Sequence, residues 1–360
     1  MKRVHNFNAG PAALPFDVLK RAQEEFINFK DSGMALMELS HRSKEYDQVH
    51  EKAIADLKEL YHIPNDYEVL FLQGGASLQF AMIPMNFLSS EKVGNYSLTG
   101  SWSEKALAEA EKLGKTAIIS SSKESKYNYI PNINELIPTD DAAYVHITSN
   151  NTIYGTQWAE YPDLGDIPLI ADMSSDILSK EIDISKFSMI YAGAQKNLGP
   201  SGVTVVIVKK DLLKDIPSSI PTLLNYQTHV KNNSLYNTPP TFSIYILSLV
   251  LDWVRAQGGV SAIEKINHEK ASLIYNCLDE SNGFYTPHAQ VGSRSNMNVT
   301  FTLPSEELTK DFLAQAKELG FVGLAGHRSI GGCRASIYNA VPIESCEALV
   351  AFMNDFKTKY

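Results

Sequence analysis

Between residues 67 and 208 the chain returns seven times to a short run rich in valine, isoleucine and leucine: YEVLFL, KVGNYSL, KTAIIS, AYVHIT, PLIADMS, SMIYAGA and VTVVIV. Near-continuous apolar runs of this length suit strands buried on both faces, which means a mainly parallel sheet covered by helices. Amphipathic helices precede them. PFDVLKRAQEEFINF opens with Pro15, and SKEYDQVHEKAIADLKELY spaces Tyr46, Val49, Ala53, Leu57 and Leu60 three or four residues apart. Past about residue 260 the order becomes helix, strand, helix, strand, helix (GVSAIEKINHEKASLIYNCLDE, NMNVTFTL, SEELTKDFLAQAKELG, CRASIYN, PIESCEALVAFMNDFKTK), a smaller α+β unit. The expected fold class is α/β, divided into an N-terminal arm (1–15), a large domain (16–262) and a small C-terminal domain (263–360).

Charge and cysteine content narrow the function. Forty-one acidic residues against 32 Lys and Arg leave a formal charge of -9, which argues against attraction to nucleic-acid backbones or anionic lipid. Cys277, Cys333 and Cys346 lie far apart, form no C-x-x-C pair and leave one thiol unpaired in any disulfide scheme. They are expected to be buried thiols in a reducing cytosol, with no zinc site. The opening MKRVHNFNAGPAALP meets polar residues, Gly and Pro before any apolar core develops, so no signal peptide is expected. The longest greasy stretch, FSIYILSLVLDWV, is too short to span a bilayer and contains Asp252. A cytoplasmic location follows as the expectation.

Neither a dinucleotide fingerprint nor a nucleoside-triphosphate loop is present. The first buried strand instead runs into QGGAS, where Gly74 and Gly75 allow a tight turn and the amides of Ala76 and Ser77 open a helix. Free N–H groups at such a turn bind anions, although a Gly-Gly pair also serves simply to end a strand. Asp172, in PLIADMSSD, ends another apolar run, where open α/β sheets place their ligand crevice; it either caps the next loop or faces a cation. Lys196 follows 24 residues later in MIYAGAQKNLGPSGVTVVIV, a strand, loop and strand with small residues around a single ammonium. Alone it reads equally as a solvated loop cation. Together, an anion turn, an acid and a lysine at strand ends are what pyridoxal phosphate needs: donors for its phosphate, an anion for its pyridine nitrogen and an amine for its aldehyde.

The chain resembles the phosphoserine aminotransferases, in the class V group of fold-type I pyridoxal-phosphate enzymes. The resemblance runs nearly end to end, through NFNAGPAALP, ELSHRS, QGGAS, GSWS, SNNTIYGTQW, ADMSSD, YAGAQKNLGPSG, YNTPPTF and GHRSIGGCRASIYNA. It implies that Lys196 bonds the cofactor, that Asp172 pairs with the pyridinium nitrogen and that Trp102 stacks on the ring. It further implies that Ala76, Ser77 and Gln195 hold the phosphate and that Thr152 touches the ring-hydroxyl side. Asn237 and Thr238, stiffened by Pro239 and Pro240, would reach the neighbouring subunit's cofactor, so a homodimer with shared sites is implied.

Phosphoserine and glutamate each carry an α-carboxylate and a second anionic group, so two cationic recognition points are needed. Arg334 resembles the α-carboxylate anchor; His41, Arg42, His327 and Arg328 resemble the side-chain end. One departure stands out: Ser77 occupies a position where some relatives carry a phosphate-binding arginine. The implied reaction is a reversible ping-pong transamination of 3-phosphooxypyruvate with L-glutamate to O-phospho-L-serine and 2-oxoglutarate, in serine biosynthesis and also pyridoxine biosynthesis. The alternatives are another class V enzyme, acting on small amino acids or as a desulfurase-like lyase, and a cofactor-free binding protein on the same fold. No cysteine stands on an exposed loop as desulfuration requires, and the intact lysine, aspartate and tryptophan speak against loss of the cofactor.

Overall fold

The computed structural model describes residues 3–360. Its centre is a seven-stranded sheet of β1 (Tyr67–Leu72), β2 (Val93–Leu98), β3 (Lys115–Ser121), β4 (Ala142–Thr148), β5 (Leu169–Asp172), β6 (Met189–Gly193) and β7 (Thr204–Lys209). Their spatial order is β1-β7-β6-β5-β4-β2-β3. Only β7 runs antiparallel to its neighbours, pairing that way with both β1 and β6; the remaining pairs are parallel. The expected mainly parallel α/β sheet is therefore present.

Alternate residues of one strand feed opposite cores, which is why these runs lack a polar period. Val145, Ile147, Leu169, Ala171, Ile190, Ala192, Val205 and Ile207 face one cluster; Tyr144, Ile170, Met189, Tyr191, Val206 and Val208 face another. The first cluster is closed by α2 (Lys44–Leu60) and α6 (Thr241–Ala256), the second by α3 (Gly75–Phe87) and α4 (Ser101–Ala110). Each fully enclosed Val, Ile or Leu contributes about 1.5–3 kcal/mol relative to exposure. α6 carries the greasy stretch seen in the sequence: it is a core helix, and among the described residues no single helix is long and apolar enough to cross a membrane.

A further core gathers Phe7 and Ala13 with residues from Ala271 to Phe356. Here the antiparallel strands Thr286–Pro287, Asn298–Thr302 and Cys333–Ser336 pack against helices Val260–Asp279, Glu306–Glu318 and Ile343–Lys357. The three cysteines are free and buried. One helix is shorter than its sequence pattern suggests: α1 (Phe16–Glu24) stops five residues before Phe29. Its cap Glu25 accepts from the Tyr245 hydroxyl at 2.7 Å, and Phe29 turns inward to meet the same tyrosine edge-on at 5.5 Å between ring centroids. That burial outweighs continued helix.

Candidate active site

Every strand of the sheet that borders the cavity delivers a residue to the same edge. β1 ends in the turn at Gly74 and Gly75, whose φ angles of 84° and 64° lie in the left-handed region that favours glycine. α3 begins there. Its first backbone bond runs from Leu78 N–H to Gly74 C=O, which leaves the N–H groups of Gly75, Ala76 and Ser77 without intrahelical acceptors. β2 leads into α4 and Trp102, β4 ends at Thr148, β5 ends at Asp172, and the connection between β6 and β7 carries Gln195 and Lys196. A cavity of about 290 Å³ lies between them, lined by Gly74, Ala76, Ser77, Trp102, Thr148, Asn150, Asp172, Ser174, Gln195 and Lys196 among others.

Lys196 is half-buried, and its Nζ donates to Thr152 Oγ1 at 2.9 Å. Burial lowers its pKa to about 8; Asp172 opposes that shift and Arg334 adds to it. The N-terminal arm closes over the lysine's stem: a Cβ on Gly10 would stand 3.6 Å from Lys196 Cγ, and Ala12 N–H donates to Gln195 C=O at 2.9 Å. Asp172 is 5% exposed, with one carboxylate oxygen accepting from Ser174 N–H at 2.9 Å. Burial pushes its carboxyl above the usual range, while Ser174 and Lys196 pull the other way. Its backbone carbonyl accepts from Ser149 N–H (3.0 Å), and the Ser149 hydroxyl lies between that carbonyl (2.9 Å) and the buried Asp176 carboxylate, with one proton shared between them. The acid is thus held from behind.

These groups fit pyridoxal phosphate on grounds internal to the site. The buried hydroxyl of Thr148, on the cavity wall, has no partner, nor does Trp102 Nε1. The Asp172 carboxylate is buried without a hydrogen-bonded cation, which a protonated ring nitrogen would supply. The free N–H groups of the Gly-Gly turn offer an anion cup. Among the described residues no cluster of metal-binding side chains occurs.

Comparison with known proteins bears on this geometry. The class-V aminotransferase family model matches residues 4–349. The chain is 65% identical to the phosphoserine aminotransferase of Geobacillus kaustophilus (strain HTA426), over 100% of both chains, and 62% identical to that of Bacillus subtilis (strain 168), over 99% of both. The chain belongs to the phosphoserine aminotransferase family of class-V aminotransferases. It is accordingly a pyridoxal-phosphate-dependent aminotransferase. The solved phosphoserine aminotransferase from Bacillus circulans subsp. alkalophilus superposes with a TM-score of 0.99 at 56% identity, covering 100% of this chain and 99% of that one. A pyridoxal-phosphate-bound phosphoserine aminotransferase from Trichomonas vaginalis gives 0.93 at 37%, covering 98% and 100%. A ureidoglycine-glyoxylate aminotransferase, at 13% identity, shares the fold alone.

Not all residues expected at the site of this aminotransferase converge in one chain. Ala76, Ser77, Trp102, Asp172, Gln195 and Lys196 line the cavity. Thr152 adjoins it through Lys196, and Arg334 Nη1 donates to Thr152 C=O at 3.4 Å. His327 and Arg328 stand on the turn leading to Arg334, where His327 Nδ1 and Ser329 Oγ share a hydrogen bond of 2.7 Å. His41, Arg42, Asn237 and Thr238 stay outside the cavity. Arg42 is exposed; Asn237 lines a neighbouring cavity of about 220 Å³; Thr238 is tied to the Gly-Gly turn only through Gln73 Nε2, which donates to its carbonyl at 3.2 Å. Sequence reasoning missed Gly10, Thr148 and Ser174, although the motifs around Gly10 and Ser174 held a usable signal.

Only a neutral amine attacks an aldehyde. The rate at which apo protein captures pyridoxal phosphate, followed by stopped-flow absorbance, should therefore climb with pH and level off above a midpoint near 8. A midpoint near the ordinary lysine value of about 10.4 would contradict the site described.

Proposed function

We propose that the chain transfers an amino group reversibly between L-glutamate and 3-phosphooxypyruvate, giving 2-oxoglutarate and O-phospho-L-serine for serine biosynthesis, as a cytoplasmic homodimer. The observation that carries this reading is the pairing of 65% identity over the full length of a phosphoserine aminotransferase with a cavity whose one lining cation, among the described residues, is a lysine of lowered pKa. When bound, pyridoxal phosphate supplies an aldehyde that accepts the amino group from one substrate and passes it to the next, and a ring that draws in electrons released at Cα. The protein's own groups do the rest. Lys196, whose pKa its surroundings lower to about 8, serves in its neutral form as nucleophile toward the cofactor and then as the base that takes the proton from the substrate's Cα and returns it. Asp172 holds a proton on the ring nitrogen, a role supported by its burial with no cation hydrogen-bonded to its carboxylate. Ala76, Ser77 and Gln195 hold the phosphate end; Trp102 covers the ring face; Thr152 orients the Lys196 amine.

Arg334 takes the α-carboxylate. Burial lowers its pKa, yet a guanidinium remains charged at any working pH, and its Nε has no partner, which leaves it a donor to spare for a carboxylate. A second reading within the family, a small-amino-acid aminotransferase, finds no specific support, because small donors give His327 and Arg328 nothing to bind. The deciding experiment is a coupled assay for glutamate formed from phosphoserine and 2-oxoglutarate, run beside serine and alanine. Phosphoserine should be preferred by at least about 100-fold, the scale of two charge-assisted contacts. Arg334→Ala should raise KM for both glutamate and phosphoserine about 10- to 100-fold, since both present an α-carboxylate. A loss confined to phosphoserine would reverse the two ends of the pocket.

The dimer is supported by two features. Phe26, Ile27, Met34 and Met37 leave large apolar surface exposed along one segment, with Ile27 79% exposed. That segment runs directly into His41 and Arg42, which have no role within their own chain's cavity. We infer that they, with Asn237 and Thr238, complete the partner's site. The three free, buried thiols are consistent with a reducing cytoplasm. Mixing inactive Lys196→Ala and Arg42→Ala subunits should restore about one quarter of wild-type turnover, because half the dimers would be mixed and each mixed dimer would hold one intact site. No recovery would contradict the sharing.

A further inference from the structure

This inference rests on the substrate pair proposed above. The two amino donors differ at their far ends: a phosphate carries about -1.5 to -2 charge at neutral pH, a γ-carboxylate -1. A site that favours the former needs cations at the right place, since attraction scales with the ligand's charge.

Helix α4 begins at the sheet edge, and Trp102 from its first turn forms part of the cavity wall. One turn later, the Nζ of Lys105 lies 4.3 Å from the centroid of the Trp102 ring, the same ring whose centroid is 6.0 Å from the Nζ of Lys196. Both amines therefore share one aromatic platform. The turn bearing His327 and Arg328 lies near this helix: His327 senses the charge of Lys105, and Ile330 and Trp102 both pack against the same hydrophobic cluster. The acid beside Lys105 does not neutralise it. Glu104 is taken by Lys123 at 2.7 Å and by the Tyr127 hydroxyl at 2.6 Å. The charges also sense one another. His327 is lowered from its ordinary pKa first by burial and then by Arg334, Arg328 and Lys105. Like charges gathered with no anion between them repel, and a dianion relieves that repulsion twice as well as a monoanion.

We propose that Lys105 is a specificity-determining residue, a cation held on the outer rim by Trp102 that binds the substrate's phosphate together with His327 and Arg328. Its ammonium rests on the indole face, so its charge sits beside the wall that Trp102 forms while the side chain stays out of the cofactor cavity. The reacting carbon is served by Lys196; Lys105 acts only at the far end of the substrate.

The test compares holoenzyme with Lys105→Met, which removes the charge, and Lys105→Glu, which reverses it. Lys112→Met, in the turn just past the far end of the same helix, removes a lysine paired with Glu109 and controls for net charge. Because the free-energy loss doubles with the ligand's charge, kcat/KM should fall about 10-fold for phosphoserine and about 3-fold for glutamate in Lys105→Met, and further in the same proportion in Lys105→Glu. Calorimetric affinity of the holoenzyme for inorganic phosphate should weaken about 10-fold, with no change in Lys112→Met. Equal losses for the two donors, or unchanged phosphate affinity, overturn the assignment while leaving the transaminase reading intact. A wild type that does not prefer phosphoserine over serine overturns both.

Discussion

A lysine in surroundings that disfavour its charge is the constraint on which this structure depends. Burial brings Lys196 down to about 8, and Thr152, Asp172 and Arg334 decide where the amine points and how much charge it keeps. Low pKa alone does not make a reactive lysine. Lys270, also brought to about 8 by burial, has its Nζ within hydrogen-bond reach of three carbonyls, those of Ile337 (3.0 Å), Tyr338 (2.8 Å) and Val341 (3.2 Å). With its donors committed and no exposed surface, it is structural. Lys196 differs in opening onto a cavity.

The fold serves that lysine by collecting unlike groups at one edge of a sheet. Five parallel connections bring strand ends together, and the antiparallel β7 lets the chain turn back immediately after Lys196, which fixes the loop at both ends: Ala194 N–H donates to Val203 C=O at 3.0 Å. The C-terminal core then reaches back through polar contacts as well as apolar packing, in which Val260 and Ile263 join the first sheet cluster. Asn339 N–H donates to Asn197 Oδ1 at 3.0 Å, and the Tyr338 hydroxyl donates to Ala9 C=O at 2.8 Å. Arg334 lies on the strand leading into that segment, so the loops carrying Arg334 and Lys196 are joined through a few directional bonds.

The sheet was legible in the sequence because strands buried on both faces leave continuous apolar runs, and the C-terminal unit was legible from its change of rhythm. The cavity floor was legible too, since Gly74, Gly75, Asp172 and Lys196 each follow an apolar run. The end of α1 was not, because its pattern persists to Phe29 and only the tertiary pull of Tyr245 on Glu25 and Phe29 breaks it. Lys105 was invisible for a different reason. A lysine on an amphipathic helix is ordinarily a solvated cation, and the role proposed for it depends on a turn more than 220 residues away whose His327 senses its charge. His41, Arg42, Asn237 and Thr238 carried a family resemblance but no local signal, as expected of residues whose function is sought in another subunit.

Chemical trapping reveals which lysine nitrogen bonds the cofactor. Holoenzyme reduced with borohydride and digested should yield one phosphopyridoxyl-labelled peptide, with the label on Lys196 in the stretch AGAQKNLG. A label on Lys270, on Lys180 or on no lysine would contradict it.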